Sequence, residues 1–539
     1  MLYRLSHRFS VDFAGRRVKP TGIAEASAHY RVGRRDQAAD ACRAILAQDP
    51  RHFEALHLLG VICTEQDQPD QALTWLTAAE RENSDVARLQ YHLGNALMAL
   101  ERHAEAEARF RLAVRLDPDL VDAHNNLGTT LRAQNREAEA EDCYCRVLAR
   151  RPDYPPAHYN LGLIQAKRGD LEAAVSSFRS ALAGPPGSAP ADKLAEVHDP
   201  LAQTLMELLH CEDALQVCRA RCALQPDDPR GEWHESLALL TLGRYAEGWP
   251  KYERRWELPG FRSEAEASSP LPRAPALHEL VGKRVLLRAE QGRGDAIQFV
   301  RYASPVAKYA ASVTLVVPAD LLELMQTVPG VDAVIDDGAS EPEHDIAAAL
   351  MSLPLTFGTD IGTIPRDVPY LHAPAERVAR WRQHLSPRTR PRVGLCWRGS
   401  QHISERSLPL GDLAPLLAAG HVEFHAVQTD IPAADRTLLQ TQPGVMLHDG
   451  MLTDFADTAA LLSLMDLVVT IDTGVAHLAG ALARPTWIML RRSPDWRWLL
   501  GRDDSPWYPT VRLFRQDRRG GWPPVLVAVR AALDRHFGS

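Results

Sequence analysis

The sequence predicts an α solenoid of helical repeats followed by an α/β region with parallel sheets. Three observations support this fold class. A small residue recurs with a 34-residue period through the first half of the chain, the helical pattern stops near residue 258, and short apolar runs then alternate with helical segments. Because 539 residues are too many for one hydrophobic core, we expect several folding units.

Composition and charge exclude several classes of function. Hydrophobic residues make up 45% of the chain and charged residues 24%, as in soluble globular proteins. The net charge of −8 provides no basic field for nucleic acid, and no apolar run reaches the roughly 20 residues of a transmembrane segment. We interpret the Arg-rich residues 1–22 as an N-terminal leader without a secretion signal, and we expect a cytoplasmic protein.

Three aligned columns of residues define seven repeats over residues 23–258. Two helices of a hairpin approach closely only where small residues lie at the crossing, a larger residue fills the space one turn further on, and proline ends the second helix. The step is 34 except for one step of 40, where residues 184–190 form an insertion. The first small residue is Ala26, Gly60, Gly94, Gly128, Gly162, Ala202 or Ser236; the second is Ala38, Ala72, Ala106, Ala140, Ala174, Ala214 or Gly248; and the larger residue is Cys42, Leu76, Phe110, Tyr144, Phe178, Cys218 or Tyr252.

These units resemble tetratricopeptide repeats, as in His124-Asn-Asn-Leu-Gly128 and His158-Tyr-Asn-Leu-Gly162. The resemblance implies a superhelix whose groove binds a protein or peptide. Asn126 and Asn160 lie in register on first helices, so we predict an asparagine ladder that contacts the backbone of a peptide acceptor. The alternative is that both are ordinary solvated polar residues.

Residues 259–280 are rich in Pro, Ser and Ala, and we interpret them as a linker. The alternating pattern beyond them predicts two halves, residues 281–388 and 389–539, each a parallel sheet with helices on both faces. Ligands in such sheets bind beyond the carboxyl ends of the strands. The predicted strands are 285–289, 312–317, 331–335, 392–397, 423–428, 467–471 and 486–490, and the predicted helices include 321–325, 475–482 and 525–536.

The segment 290–295 leaves a predicted strand and enters a helix expected to begin near Ala296. Its glycines allow the backbone to approach a ligand, and the helix start favours an anion. Asp295 is either a general base that takes a proton from an acceptor hydroxyl or a helix N-cap. A three-glycine dinucleotide fingerprint is absent, which argues against nicotinamide binding. The residues predicted on the acceptor side are Gln291, Gly292 and Gly294.

A second segment, Asp472-Thr-Gly-Val-Ala-His477, also lies between a strand and a helix. Its glycine allows a tight turn, and the N–H groups that follow can cradle a phosphate. His477 is expected in the first helical turn, where it can donate to a diphosphate. The alternative is a capping Asp-Thr pair with a buried histidine. The residues predicted to bind the donor here are Asp472, Thr473, Gly474 and His477.

A third group of candidates follows the first strand of the second half. Arg398 and Arg406 are candidates to neutralise a diphosphate leaving group, and His402 is a weaker candidate base; the alternative is a solvated loop. Two aromatic runs, 494–498 and 505–508, are predicted to pack the domain together, with an edge at the donor pocket. The donor-binding candidates of this group are Arg398, Ser400, Arg406 and Gln428.

Residues 283–537 resemble glycosyltransferase family 9, the heptosyltransferase family, through Gly292-Arg-Gly-Asp295 and Asp472-Thr-Gly-Val-Ala-His477. A further resemblance is to bacterial proteins that fuse tetratricopeptide repeats to this domain. The resemblance to family 9 implies a GT-B fold of two Rossmann-like domains, with the acceptor on the N-terminal side and the nucleotide sugar on the C-terminal side. It also implies an inverting transfer that needs no metal or other cofactor, uses a nucleotide-diphosphate sugar as co-substrate and employs Asp295 as the base. Donor-diphosphate binding falls to Thr473, Gly474 and His477.

Three functional hypotheses remain open on the sequence. The first is a hexosyl- or heptosyltransferase-like enzyme that glycosylates a protein held by the repeats. The second is a glycosyltransferase that acts on an envelope or lipid-linked glycan and recruits a partner through the repeats. The third is a non-catalytic repeat scaffold with an inactive GT-B domain, which the short loop after Trp397 favours.

Overall fold

The computed structural model describes residues 22–184, 191–261, 273–399, 407–442, 444–448, 450–517 and 521–538. The chain divides into two compact units, Met1–Pro190 and Ala191–Ser539. Among the described residues, none of the helices combines the length and the apolar character that a membrane crossing requires.

In the described part of the first unit, successive helices pair into hairpins. The repeat glycines explain the close pairing. A Cβ atom added at Gly94 would lie 2.5 Å from Cε1 of Phe110, and one at Gly128 would lie 2.6 Å from Cε1 of Tyr144. The helices are α1 (Ile23–Arg31), α2 (Arg35–Gln48), α3 (Phe53–Glu65), α4 (Pro69–Glu82), α5 (Ala87–Ala99), α6 (His103–Leu116), α7 (Val121–Ala133), α8 (Glu137–Arg150), α9 (Pro155–Arg168) and α10 (Leu171–Leu182).

The second unit begins with two further hairpins of the same kind. A 3-10 turn, Glu253–Glu257, follows the last helix directly. The second unit therefore contains repeat helices as well as the sheets that follow. These helices are α11 (Ala191–Glu207), α12 (Cys211–Leu224), α13 (Pro229–Thr241) and α14 (Tyr245–Tyr252).

Two parallel sheets follow within the described residues of the second unit. The first has the strand order β3-β2-β1-β4, and the second has the order β10-β9-β8-β5-β6-β7. All the strand pairs within them are parallel, so the carboxyl ends of each sheet share one edge. The strands are β1 (Arg284–Arg288), β2 (Ser312–Val317), β3 (Ala333–Asp336), β4 (Ile346–Ala349), β5 (Arg392–Cys396), β6 (Glu423–Ala426), β7 (Val445–Met446), β8 (Leu467–Ile471), β9 (Thr486–Leu490) and β10 (Val511–Arg515).

Helices connect most of these strands, as is usual in parallel sheets, whereas a loop joins β3 to β4 and a segment with a 3-10 turn joins β9 to β10. One apolar core joins α13 and α14 to helices and strands of both halves, with Leu240, Trp249, Leu287 and Ile488 all buried in it. A second core covers the other face of the second sheet under α24. The helices are α15 (Arg293–Phe299), α16 (Ala303–Ala307), α17 (Leu322–Met325), α18 (Leu353–Thr356), α19 (Ala375–His384), α20 (Ala414–Leu417), α21 (Ala433–Gln440), α22 (Phe455–Ser463), α23 (Gly474–Ala481) and α24 (Pro523–Phe537).

The predicted solenoid and the predicted parallel α/β region are both confirmed. The seven predicted strands are present within about two residues, but β4, β7 and β10 were not predicted. The sequence of β4, Ile-Ala-Ala-Ala, lacks the β-branched residues typical of a strand, and β7 has only two residues.

Candidate active site

The two glycine segments predicted to carry chemistry meet in the structure. Gly292 precedes α15 and Thr473 precedes α23, each shortly after a parallel strand ends. A Cβ atom added at Gly294 would lie 3.0 Å from Cδ2 of His477 and 3.5 Å from Cα of Gly474. The starts of both helices therefore touch, and a side chain at position 294 would meet the His477 ring more closely than carbon atoms normally approach.

Asp295 occupies the third position of α15 and is not its N-cap, because the helix begins at Arg293 and not near Ala296. Its Oδ2 accepts a hydrogen bond of 2.9 Å from the N–H of Gly292, which is the N-cap residue. Its Oδ1 accepts a hydrogen bond from Nη2 of Arg497, with which it forms an ion pair. The carboxylate is thus held in one orientation from two sides.

Arg497 is the partner that the sequence did not reveal. The side chain is buried and also donates to Oδ1 of Asp495 at 2.8 Å and to Oε1 of Gln298 at 2.7 Å. Its guanidinium lies 4.4 Å from the ring centre of Trp496. Burial acts to lower the pKa of this guanidinium, but the Asp495 and Asp295 carboxylates outweigh it and hold the pKa above its ordinary value. A buried guanidinium needs a counter-charge, and Asp495 and Asp295 supply it.

His477 lies in the first turn of α23, as predicted, and it is buried there, as the alternative interpretation of this histidine expected. Its Nδ1 lies 3.0 Å from the hydroxyl of Tyr508, and its ring stacks on Trp498 with centroids 5.4 Å apart. The aromatic runs 494–498 and 505–508 therefore fix the orientation of the imidazole beside Gly294. Their predicted packing role agrees with their burial.

The carboxyl ends of β5, β6 and β8 bring further candidates together. Oε1 of Gln428 accepts hydrogen bonds from the N–H of Arg398 at 3.1 Å and from the thiol of Cys396 at 3.5 Å. Sγ of Cys396 lies 3.9 Å from Oγ1 of Thr473. Arg398, Gln428 and Thr473 thus share one edge of the second sheet. Ser400, His402 and Arg406 lie outside the described residues.

Two concave features adjoin this edge. Asp472 lines a narrow crevice, with Arg491 and Trp522 among its neighbours. The larger feature is a cavity of about 320 Å³ beyond β6 and β7, which includes Gln428. The remaining residues around this cavity are Thr429, Ile431, Arg436, His448, Gly450 and Leu452.

The asparagines of the first unit form a connected network, although its pairing differs from a simple ladder. Nδ2 of Asn126 donates to Oδ1 of Asn95 at 2.8 Å, and Nδ2 of Asn125 donates to Oδ1 of Asn126 at 3.1 Å. The buried Asn160 donates to Oδ1 of Asn125 at 3.4 Å. Asn126 and Asn160 are therefore linked through Asn125 across α7 and α9, and Asn160 is not a solvated residue.

Comparisons with known proteins agree with this architecture. Tetratricopeptide-repeat family models match residues 23–87, 85–153 and 125–189. The model of "Glycosyltransferase family 9 (heptosyltransferase)" matches residues 452–498, which include the segment from Asp472 to His477 and Arg497. The chain is 27% identical over 361 residues to Protein FlbA of Caulobacter vibrioides, an alignment that covers 61% of this chain. The chain spans 59% of the length of that relative.

Two solved structures are similar to part of this chain. PilW, described as a type IV pilus biogenesis factor, is 23% identical with a TM-score of 0.35, and the match covers 39% of this chain and 95% of PilW. PilF of Pseudomonas aeruginosa is 19% identical with a TM-score of 0.34, over 39% of this chain and 93% of PilF. The chain therefore carries tetratricopeptide repeats and a C-terminal segment similar to glycosyltransferase family 9, which together support a glycosyltransferase with repeats.

Proposed function

We propose that this protein transfers a sugar, with inversion, from a nucleotide-diphosphate donor to a polypeptide held by its repeats. The observation that carries the proposal is the contact between Gly294 and the start of α23, which sets Asp295 and the 472–477 segment beside one another. A general base and an anion-binding helix start at one point are what such a transfer needs. The donor is a co-substrate, and the proposal includes no metal or other cofactor.

The donor side of the proposal rests on the edge of the second sheet. The first N–H groups of α23, an eight-residue helix, favour a diphosphate, and the Arg398 cation follows β5 at the same edge. The cavity of about 320 Å³ beside Gln428 falls within the size range of small-molecule sites, so we assign it to the nucleoside. The residues around this cavity do not specify which sugar or which nucleobase the donor carries, so a screen of nucleotide sugars identifies both.

In the proposed reaction, the acceptor hydroxyl attacks the anomeric carbon as the bond from that carbon to the diphosphate oxygen breaks. The hydroxyl proton passes to the Asp295 carboxylate, and the nucleoside diphosphate leaves with the negative charge. Each carboxylate oxygen has two lone pairs, so the bonds from Gly292 and Arg497 leave Asp295 able to accept this proton. Arg398 and the start of α23 stabilise the departing charge.

The experiment is a thermal-shift screen of the full chain with UDP-N-acetylglucosamine, UDP-glucose, GDP-mannose, dTDP-rhamnose and ADP-heptose, followed by a release assay for the nucleoside diphosphate. A donor at about 100 times its dissociation constant adds about 2.7 kcal/mol of stability. Asp295→Asn is expected to keep donor binding and to lose about 100-fold or more of turnover. Unchanged turnover in Asp295→Asn contradicts the assignment of the base.

Asp320→Asn is the matched control. Asp320 is a solvent-accessible carboxylate that pairs at 3.1 Å with Arg293, which lies on α15 as Asp295 does. It is expected to turn over like the wild type. Mass spectrometry of co-expressed proteins then tests the acceptor: sugar-modified polypeptides support protein glycosylation, and modified glycan without modified protein supports the second hypothesis. Absence of binding by every nucleotide sugar in the panel favours the inactive scaffold.

A further inference from the structure

We infer that the last repeat hairpin, α13–α14 with the 3-10 turn Glu253–Glu257, is a working part of the candidate site because it positions the loop that carries Asp295. Tyr252 and Arg255 are the positioning residues, and neither is predicted to touch a substrate. The catalytic meaning of this inference rests on the proposed function. The inference that the last repeat hairpin holds this loop in place does not depend on the proposed function.

The first support is a buried ion pair between the hairpin and the loop. The guanidinium of Arg255, which is fully buried, donates twice to Glu290, at 3.0 Å to Oε2 and 2.8 Å to Oε1. It also donates to Oε1 of Glu253 at 2.6 Å and to Oγ of Ser352 at 2.9 Å. Burial raises the pKa of the Glu290 carboxyl above its ordinary value, and Arg255 opposes that shift. The carboxylate therefore depends on this arginine, because a buried charge without a partner is strongly unfavourable.

The second support is the backbone conformation of Gln291, the residue between Glu290 and Gly292. Its φ is +60°, in the left-handed region that residues other than glycine seldom adopt. Its Nε2 donates to the hydroxyl of Tyr252 at 3.2 Å. Such a conformation persists only where surrounding contacts impose it, and strained residues cluster at functional sites. Here the contacts of the strained residue itself and of the preceding Glu290 come from the last hairpin.

The third support is that the same hairpin braces the partner of Asp295. Trp496, next to Arg497, meets Trp249 edge to face with ring centroids 5.4 Å apart. Leu499, two residues after Arg497, has φ +51° and ψ −171° and lies 3.7 Å from a Cβ added at Gly243, in the turn between α13 and α14. Two strained positions, one on each side of the Asp295–Arg497 pair, therefore lie against one hairpin.

These contacts have a consequence for Asp295. Gln291 immediately precedes Gly292, whose N–H holds Oδ2 of Asp295. If Gln291 relaxes, this N–H turns and the carboxylate loses one of its two fixed bonds. A small misplacement of a reacting group costs rate more than it costs substrate binding.

The test uses Tyr252→Phe in the full chain, which removes only the hydroxyl that holds Gln291. Tyr144→Phe is the matched control, because Tyr144 is also buried in a repeat helix and its hydroxyl donates within the repeats, to Thr129 at 3.4 Å. Hydrogen–deuterium exchange is measured on peptides covering residues 289–296, together with melting temperature. Turnover is measured with the nucleotide sugar of the panel that gives the largest thermal shift.

For Tyr252→Phe we expect exchange in 289–296 to rise about fivefold and kcat to fall about fivefold, while donor KM and the melting temperature stay near wild type. Tyr144→Phe should change neither exchange nor kcat. Unchanged exchange in Tyr252→Phe, or a fall in melting temperature without a change in either exchange or kcat, overturns the inference. If exchange rises but the wild type turns over no nucleotide sugar of the panel, the positioning role stands and the proposed function fails.

A second pair of variants covers the ion pair. Arg255→Met is expected to raise exchange in 289–296 more than Tyr252→Phe does, and Arg255→Lys should recover part of the protection because it keeps the charge. Arg254→Met is the control, since Arg254 lies on the same turn but pairs with Glu232 and Glu257. If Arg255→Met fails to fold, Arg255→Lys and Tyr252→Phe still decide the result. Equal exchange in Arg255→Lys and Arg254→Met contradicts the role of Arg255.

Discussion

Gly294 is the residue at which the two segments of the candidate site touch. A methyl group there would lie 3.0 Å from the His477 ring and 3.5 Å from the Gly474 backbone. The nearest of these atoms belongs to the buried His477 ring, which would have to shift, whereas the distance to the Gly474 backbone is an ordinary van der Waals contact. A side chain at position 294 is therefore expected to displace the His477 ring.

Gly294→Ala is expected to lower the free energy of unfolding by about 1–3 kcal/mol, the usual cost of overpacking a close contact. Urea unfolding of the full chain measures it. Gly411→Ala is the control, because an added Cβ there meets no atom within 4 Å, and it should stay within about 0.5 kcal/mol of the wild type. Equal stability of the two variants would show that the helix starts are not in contact.

His425 provides a test that depends on pH. Its ring is buried, stacks on His448 with centroids 5.3 Å apart, and has Nε2 3.5 Å from Glu423. Burial, with a smaller contribution from Arg392, lowers its pKa from 6.5 to about 4. Between these values the unfolded chain binds more protons than the folded chain, so stability present above pH 6.5 is lost as the pH falls towards 4.

The free energy of unfolding should therefore fall between pH 7 and pH 4.5, with His425 contributing on the order of 2 kcal/mol. His425→Leu removes this contribution, so its stability should depend less steeply on pH over that window. Urea titrations at both pH values check the difference. An identical pH dependence in the wild type and His425→Leu would exclude a lowered pKa at this position.

At the residue scale, the sequence predicted Asp295 and His477 because each lies in a short local pattern. It did not predict that Arg497 pairs with Asp295, since 202 residues separate them and local patterns carry no information about such contacts. It also named an N-cap as the alternative role for Asp295, whereas the carboxylate caps from the third helical position. The helix begins three residues earlier because Gly292 supplies the cap position.

At the element scale, the repeat hairpins follow from the glycine and aromatic columns. The ring of Phe110 packs directly against Gly94, so that a Cβ atom added at position 94 would lie 2.5 Å from Cε1 of Phe110. That complementarity was predictable because it repeats. Strands β4 and β7 were not predicted, since each depends on its neighbours in the sheet more than on its own residues. Strand β10 was missed although its residues, Val-Arg-Leu-Phe-Arg, are typical of a strand.

Gly94→Ala is expected to destabilise the full chain by about 1–3 kcal/mol, and Phe110→Leu to relieve part of that cost by making room for the methyl group. The double variant should thus be more stable than the sum of the two single effects predicts. Urea unfolding, monitored by the circular dichroism signal of the helices, measures the free energy of unfolding of the wild type, the two single variants and the double variant. Strict additivity would contradict direct contact between the two side chains.

At the scale of the whole molecule, the repeat period is constant except for the insertion at residues 184–190, and the two compact units divide at the end of that insertion. The period does not predict the difference that sets the sixth and seventh repeats apart, which is that they belong to the same compact unit as the sheets. The difference arises from the buried aromatic residues of α14, Tyr245, Trp249 and Tyr252, which share the core of the α/β region. A repeat that packs on a second domain needs a large apolar face, and those aromatic residues supply it.

We propose a sugar transfer in which Asp295 is the base. The most direct measurement is the release of nucleoside diphosphate from the best-binding nucleotide sugar, with the wild type and Asp295→Asn compared side by side. We expect release by the wild type, a loss of about 100-fold or more in Asp295→Asn, and equal donor affinity for both. Release that is equal in the two proteins would contradict the proposal.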